Sequence, residues 1–392
     1  MKRRVIGTGD VQEAATRGRR LIEVMPGDIV TGAARDSAER LRVTLAAGPL
    51  PKPQAIETDG ATAARRVLLR RSPRWISPKP RIRSEPKQIA RLALIGAGGV
   101  GANVAHLAAN ASLAREIAII DVIPGLAEAV ALDLNHAAGI TRSSSRAAGG
   151  IDLALVRGAD IVVVTAGRPR TPGMSRADLL AVNRRAIIQA ADATRIHAPD
   201  AVVIVVTNPL DEMTTEMLRA TGFPRARVLG MAGSLDSSRF RRALAEAAAV
   251  PIADVEAMTL GSHGDEMLPI VSRARIRGRA LADFLSAEAI AACVKDAVTG
   301  GSQFVALRKT GSATLAPAHA VIEMIEHMRG ARAGTVPVSV ALEGEYGIEG
   351  VVLGVPCHLG LGGLVAVEDL PLSGEESAGL KRAADAIRKR MG

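Results

Sequence analysis

Aromatic residues are nearly missing from this 392-residue chain, which has one Trp, one Tyr and four Phe. A core must therefore be built from Ala, Val, Leu and Ile. Base stacking, the sequence-tolerant way to hold single-stranded nucleic acid, has few rings to use. Cysteine is scarce as well: Cys293 and Cys357 lack metal-ligand spacing and read as small buried hydrophobes in a reducing cytosol, with no metal site. No apolar run reaches the roughly 18 residues that span a membrane. The opening MKRRVIGTGD has basic residues but no apolar stretch behind them, which predicts no secretory signal and a cytoplasmic protein. Acidic and basic residues are unevenly placed. Residues 1–91 hold 20 Lys/Arg against 9 Asp/Glu, or +11, whereas the remainder holds 30 against 31, or −1. The net charge of +10 thus belongs to an N-terminal extension. Nucleic acid is not the expected partner of the body, and only Trp75 stands among the extension's cations.

Within that extension, residues 1–48 read as a small module: helix-like over 11–18, strand-like over 20–30, helix-like over 33–41, then a short strand at 43–45. The module is short for independent stability. Its segment RRLIEVMPGDIVTGAARDSAERLRVTL resembles short N-terminal segments on some enzymes of bacterial microcompartments. That resemblance implies a shell as the arm's partner and a microcompartment as its place; a lineage-specific appendage is the plain alternative. Residues 49–90 contain seven prolines and a run of arginines, and predict an extended, solvated linker.

A different pattern begins at Arg91. The apolar strand 92–95 enters the turn Gly96-Ala97-Gly98-Gly99-Val100-Gly101, and a helix leaves it over 99–110. Strand, glycine turn and helix form the context in which G-x-G-x-x-G signals a dinucleotide site. Gly96 allows the tight turn, Gly98 lets backbone approach a pyrophosphate, and Gly101 lets helix and strand pack closely. The phosphates would lie at the helix N-terminus, where free N–H groups and the helix dipole favour negative charge. Twenty residues past Gly101, the strand EIAIID ends in Asp121. A carboxylate there accepts both ribose hydroxyls of NAD and repels the 2′-phosphate of NADP.

Strand and helix then alternate: helix 125–138, strand 159–166, helix 176–196, strand 201–206, helix 211–221 and strand 227–231. The runs ADIVVVTA and AVVIVV are apolar throughout, as strands covered on both faces are. The fold class is α/β: a Rossmann doubly wound parallel sheet followed by an α+β substrate domain, behind a basic extension. Between strand 159–166 and helix 176–196, the loop GRPRTPGMSR offers Arg170 and Arg176 to an anion at the ligand-binding end of the sheet. Further on, AGSLDSSRF puts Asp236 and Arg239 on neighbouring positions of one helix face. GSHGDE then holds His263 between glycines, with Asp236 as its candidate orienter.

GAGGVG, Asp121, GRPRTPGMSRADLL, VTNP, AGSLDSSRF and GSHGDEMLP occur in the order and spacing of the lactate/malate dehydrogenase family. Over residues 90–392 the chain is most similar to malate dehydrogenases of the lactate dehydrogenase type. The resemblance implies an NAD-binding domain at 91–232, a catalytic domain at 233–392 and a homodimer or homotetramer. It implies His263 as proton acceptor, oriented by Asp236, and Arg239 as the grip on the substrate's C1 carboxylate. On the same resemblance Arg176 would polarise the C2 oxygen and Asn208 would hydrogen-bond the substrate. Val206 and Thr207 would lie along the cofactor with Asn208, and Asn183 resembles the family's contact to the nicotinamide ribose. Arg170 stands where the family reads the C2 substituent, and it favours a second carboxylate, hence malate and oxaloacetate.

The chemistry of these groups agrees. Oxidising a 2-hydroxy acid needs a base for the hydroxyl proton, a carboxylate to steady the imidazolium and a planar cation to grip a carboxylate. Arg168 departs from the family where an apolar residue is usual, and Thr314-Leu315 replace an aromatic pair. Both leave room for an unusual 2-oxo acid. The rival readings are a lactate or broader 2-hydroxy-acid dehydrogenase and a non-catalytic scaffold using its basic arm.

Overall fold

In the computed structural model of the chain, residues 4–25, 27–47, 86–168, 176–309 and 311–391 are described. The proposed linker and the substrate-side loop with Arg170 lie outside these residues for the most part. Two units divide the chain, Met1–Arg81 and Ile82–Gly392. Among the described residues, no helix is long and apolar enough to cross a membrane.

The first unit is a pair of β-α-β halves. Strand β1 (Val5–Ile6), helix α1 (Thr8–Thr16) and β2 (Leu21–Val24) are followed by β3 (Ile29–Val30), α2 (Gly32–Leu41) and β4 (Thr44–Ala47). Each strand of one half pairs in parallel with its counterpart in the other, Val5 with Ile29 and Leu21 with Thr44. The two helices bury Val11 and Ala34 completely. Thr31 caps α2 by accepting from the Ala34 N–H at 3.2 Å. The single strand expected over 20–30 is instead two strands separated at residues 25–28, where Gly27 takes φ +104°, and β1 supplies the partner for the second.

In the second unit, β5 (Ile89–Ile95), α3 (Gly99–Asn110), β6 (Ala114–Ile120), α4 (Leu126–Thr141) and β7 (Arg146–Gly150) make the first half of a doubly wound sheet. The other half is β8 (Ile161–Val164), α5 (Arg176–His197), β9 (Val202–Val205), α6 (Leu210–Thr221) and β10 (Val228–Gly230). These six strands are parallel, in the order β7-β6-β5-β8-β9-β10. Strands β8 and β9 are buried at every residue, which explains their unbroken β-branched runs. The order reverses between β5 and β8, so the crevice beyond their C-terminal ends is where ligands bind in such sheets.

Strand β7 was not expected. Its sequence, RAAGG, has no strand-like alternation because α4 lies directly against it: a Cβ on Gly149 would fall 2.1 Å from the Ala127 carbonyl oxygen. The sheet also fails to stop at β10. Gly230 pairs antiparallel with Ser339 of β11 (Val336–Glu343), which continues into β12 (Glu349–Gly360). Beside β12 lies β13 (Thr259–Gly261), meeting it where Gly261 faces Gly354. The chain after residue 233 therefore extends the same sheet, and the boundary expected at 232/233 is not a break in hydrogen bonding.

Helix α3 meets β5 through glycine alone. Gly96 has φ +113°, and a Cβ on Gly101 would stand 1.8 Å from the Gly96 carbonyl oxygen. Neither backbone can yield without moving a central strand, so Gly101→Ala should cost at least the 1–3 kcal/mol typical of overpacking. Thermal unfolding should show a clear drop in Tm; an unchanged Tm would mean the contact is not tight.

Candidate active site

The parallel strands end together. Gly96 follows β5, Asp121 follows β6, Thr165 to Arg168 follow β8, and Val206 to Asn208 follow β9. Two hollows open there, of about 580 and 280 Å³, and they share Val100, Val206, Asn208, His263, Ser312 and Ala313. The larger runs over Gly98 and Gly99 past Thr165, Gly167 and Arg168. The smaller is walled by Met231, Leu235, Arg239, Val298 and Phe304.

The larger hollow fits a dinucleotide. Gly98 opens α3 with φ −67°, and a Cβ there would meet nothing within 4 Å, so the bare backbone faces open space. Asp121 binds back to the turn: one oxygen accepts from the Ala97 N–H at 2.7 Å, the other from the Ile123 N–H at 3.0 Å. The carboxylate expected to read the ribose thus also fixes the glycine turn. Thr207 is buried, and its hydroxyl donates to the Ala166 carbonyl at 2.7 Å, holding the β8 and β9 ends together. Thr314 closes over Gly99, where a Cβ would come within 2.5 Å of its methyl.

Where the hollows meet stands His263. A carboxylate can only accept, so the 2.8 Å contact of its Nδ1 with Asp236 Oδ2 assigns the proton to Nδ1. Nε2 is left for exchange with whatever occupies the cleft. Asp236 is 2% exposed in its side chain and accepts on its other oxygen from Arg239 at 2.9 Å. Burial by itself would depress the imidazole. The charge of Asp236 and its hydrogen bond, with the charge of Asp211, outweigh burial and the nearby Arg239, and hold His263 above the usual histidine range. Its position follows from Gly261 (φ +87°) and Gly354, backbones so close that a Cβ on Gly354 would stand 2.6 Å from the Gly261 oxygen.

Of the residues singled out in the sequence, Gly98, Gly99, Val100, Val206, Thr207, Asn208, His263 and Arg239 line the hollows. Gly96, Ala97, Gly101 and Asp121 shape the turn beneath. Asn183 stands on α5. It is 1% exposed; its amide N–H groups donate to Asn208 O at 2.6 Å and Arg168 O at 3.2 Å, and its oxygen accepts from the Arg168 N–H at 2.8 Å. With those groups engaged it ties the loop base to the β9 end. Arg176 is the first residue of α5, its side chain not described, and Arg170 lies outside the described residues.

Sequence reasoning missed Asp211, whose carboxylate accepts from the His263 backbone N–H at 2.8 Å, and Arg390. Arg390, on the last helix, α10 (Gly374–Met391), donates to Glu212 at 2.6 Å and to Glu266, and lines the larger hollow. An acid three residues past Asn208 was a visible signal for Asp211. The pairing of Glu212 with a residue 178 positions away was not.

Comparison with known proteins agrees with this geometry. Residues 90–230 match the model of the lactate/malate dehydrogenase NAD-binding domain, and residues 233–392 match that of the alpha/beta C-terminal domain of the same family. The chain belongs to the lactate/malate dehydrogenase family. This dehydrogenase is 43% identical over 303 residues to a malate dehydrogenase of Nostoc punctiforme, covering 77% of this chain and 92% of that one. It is 42% identical over 304 residues to malate dehydrogenase 1 of Anaeromyxobacter dehalogenans, covering 77% and 97%. Among solved structures, Cryptosporidium parvum malate dehydrogenase superposes with a TM-score of 0.75 at 34% identity, covering 77% of this chain and 98% of that one. The lactate dehydrogenase of the same organism, complexed with lactic acid and NAD, gives 0.75 at 32%, covering 78% and 98%. The dehydrogenase is an NAD-dependent oxidoreductase with a Rossmann fold.

Two measurements follow. Gly98→Ala should leave Tm nearly unchanged while weakening NADH binding at least tenfold, because the added methyl meets only the cleft; fluorescence titration with NADH reads this. Asp236→Asn removes the charge and offers His263 a donor where it needs an acceptor, so kcat should fall by roughly 10³–10⁴-fold. The pH at which oxaloacetate reduction is lost should also fall, since reduction needs the protonated ring that Asp236 stabilises.

Proposed function

We propose that the protein is an NAD-dependent malate dehydrogenase, interconverting (S)-malate and oxaloacetate. The observation that carries this reading is the buried Asp236 bonded at once to His263 and Arg239, where the two hollows join. Bound NAD supplies the hydride acceptor at C2, and NADH the donor in reverse.

In oxidation, His263 Nε2 takes the C2 hydroxyl proton, and Asp236 stabilises the imidazolium that forms. In reduction the same ring returns the proton to the carbonyl oxygen. Arg239 spends one nitrogen on Asp236 and has the rest of its fork for the C1 carboxylate. Asn208 donates to the C2 oxygen from the junction of the hollows. Arg176 stabilises charge developing on that oxygen, help often worth about 3–4 kcal/mol.

Arg170 selects the dicarboxylic acid by pairing with the second carboxylate. With pyruvate its guanidinium would be desolvated without a partner, and unpaired site groups of this kind cost about 10⁴-fold in specificity. Asp121 favours NAD by repelling the 2′-phosphate of NADP. A homodimer or homotetramer, a cytoplasmic location and a partner for the N-terminal module complete the reading; light scattering on the full chain tests the first.

NADH oxidation by the full chain should be fastest with oxaloacetate across a panel of 2-oxo acids, and much slower with NADPH. Arg170→Gln should move the oxaloacetate-to-pyruvate ratio of kcat/KM toward pyruvate by at least 100-fold. No turnover of any small 2-oxo acid would defeat the proposal.

A further inference from the structure

Asp211 is a buried charge that the mechanism leaves unused. It is 1% exposed, on the first turn of α6, three residues after Asn208. Its Oδ2 accepts from the His263 backbone N–H at 2.8 Å, and its Oδ1 accepts from the Ser339 hydroxyl at 2.8 Å. It therefore joins three segments far apart in sequence: the start of α6, strand β11 and the loop that carries the reactive imidazole. We infer that Asp211 is a second positioning residue for His263, fixing its loop through the backbone and adding negative charge beside the ring that Asp236 already orients. The inference rests on His263 being the proton-transfer group and says what tunes it.

A purely structural reading of Asp211 has to explain why the position is charged. An Asn can accept from the same N–H and donate to the same hydroxyl, without burying an ion. Burial, then the neighbouring Glu212, push Asp211 up to about 6 despite the bonds from His263 and Ser339 that favour its charge. At neutral pH the fold thus holds a carboxylate that would ionise more easily in the unfolded chain. The sign is clear: the folded form keeps its proton longer, so the stability this group contributes at low pH is lost as pH rises from the ordinary carboxylate range through about 6. What the charge supplies in return is attraction for a proton on His263.

Among the described residues, further charged groups stand near the ring or bond to those that do. Helix α7 (Gly233–Ala247) brings Asp236 and the opposing Arg239. Helix α6 adds Glu212, bonded to Arg390 of α10, which also holds Glu266. Asp265 lies on the histidine loop, Arg168 lines the same hollow, and β11 contributes the neutral Ser339. The charges of Asp211 and His263 each favour the ionised form of the other.

Asp211→Asn tests the inference in the full chain. Without cofactor or substrate, the ring protons of His263, assigned among the seven histidines by their loss in His263→Gln, should titrate at lower pH in the variant. The variant should be at least as stable as wild type at pH 7 by thermal unfolding. Its kcat/KM for oxaloacetate should fall about 3- to 10-fold more at pH 8.5 than at pH 6, with KM nearly unchanged. Ser339→Ala keeps the carboxylate but removes one donor. It should raise the pH at which Asp211 ionises, and His263 should respond in the same direction as in Asp211→Asn. An unchanged His263 titration in both variants overturns the inference, as does an Asp211→Asn protein less stable at pH 7 with an unmoved pH profile. If wild type fails to reduce oxaloacetate, the functional reading falls, while the cofactor-free titration still decides the role of Asp211.

Discussion

A carboxylate with 2% of its side chain exposed cannot remain ionised in a protein interior without partners, and Asp236 has two: the imidazole of His263 and the guanidinium of Arg239. Each contact is near 2.8 Å, and each partner reaches toward a hollow. One buried charge thereby fixes a base and an anion-binding fork relative to each other. Removing either partner would leave charge desolvated, so the arrangement is held by the same electrostatics that make it reactive.

The sheet delivers this group to the cofactor crevice. Six parallel strands end on one edge and place Gly98, Asp121, Thr207 and Asn208 there. Antiparallel strands from the second half of the chain extend the sheet past β10, and β13 carries the chain into His263. The close glycine contacts, Gly96 with Gly101 and Gly261 with Gly354, set the turns at both places. Rigid strands and glycine approaches account for how residues some 165 positions apart come to share one cleft.

The environment of His263 shows two carboxylates on different elements acting on one ring. Asp236 bonds the side chain and Asp211 bonds the backbone. Against burial and the repulsion of Arg239, their charges together with the Asp236 hydrogen bond hold the ring above the usual histidine range. Such a site trades stability for proton affinity, a pattern common where chemistry requires charge in a dry place.

Much of this was legible in the residues alone. Helix 99–110 matches the expected boundaries, because glycine turn and apolar face both mark it, and β8 and β9 announce themselves as unbroken β-branched runs. Local order, the glycine signature, the acid at the end of β6 and the ordered set Asp236, Arg239 and His263 are written in short stretches, since turns, caps and periodicity are local physics. What only the tertiary structure decided depends on distant backbones meeting. Gly149 disguised β7 because a helix lies against it, and the C-terminal strands joined the sheet through a pairing no short window contains. Asn183 became a tie between two loops, Asp211 came to hold the His263 backbone, and Arg390 reached Glu212 from the far end of the chain. A side chain's type sets what bonds it can make; which partner it finds is settled only when the sheet has brought both to the same edge.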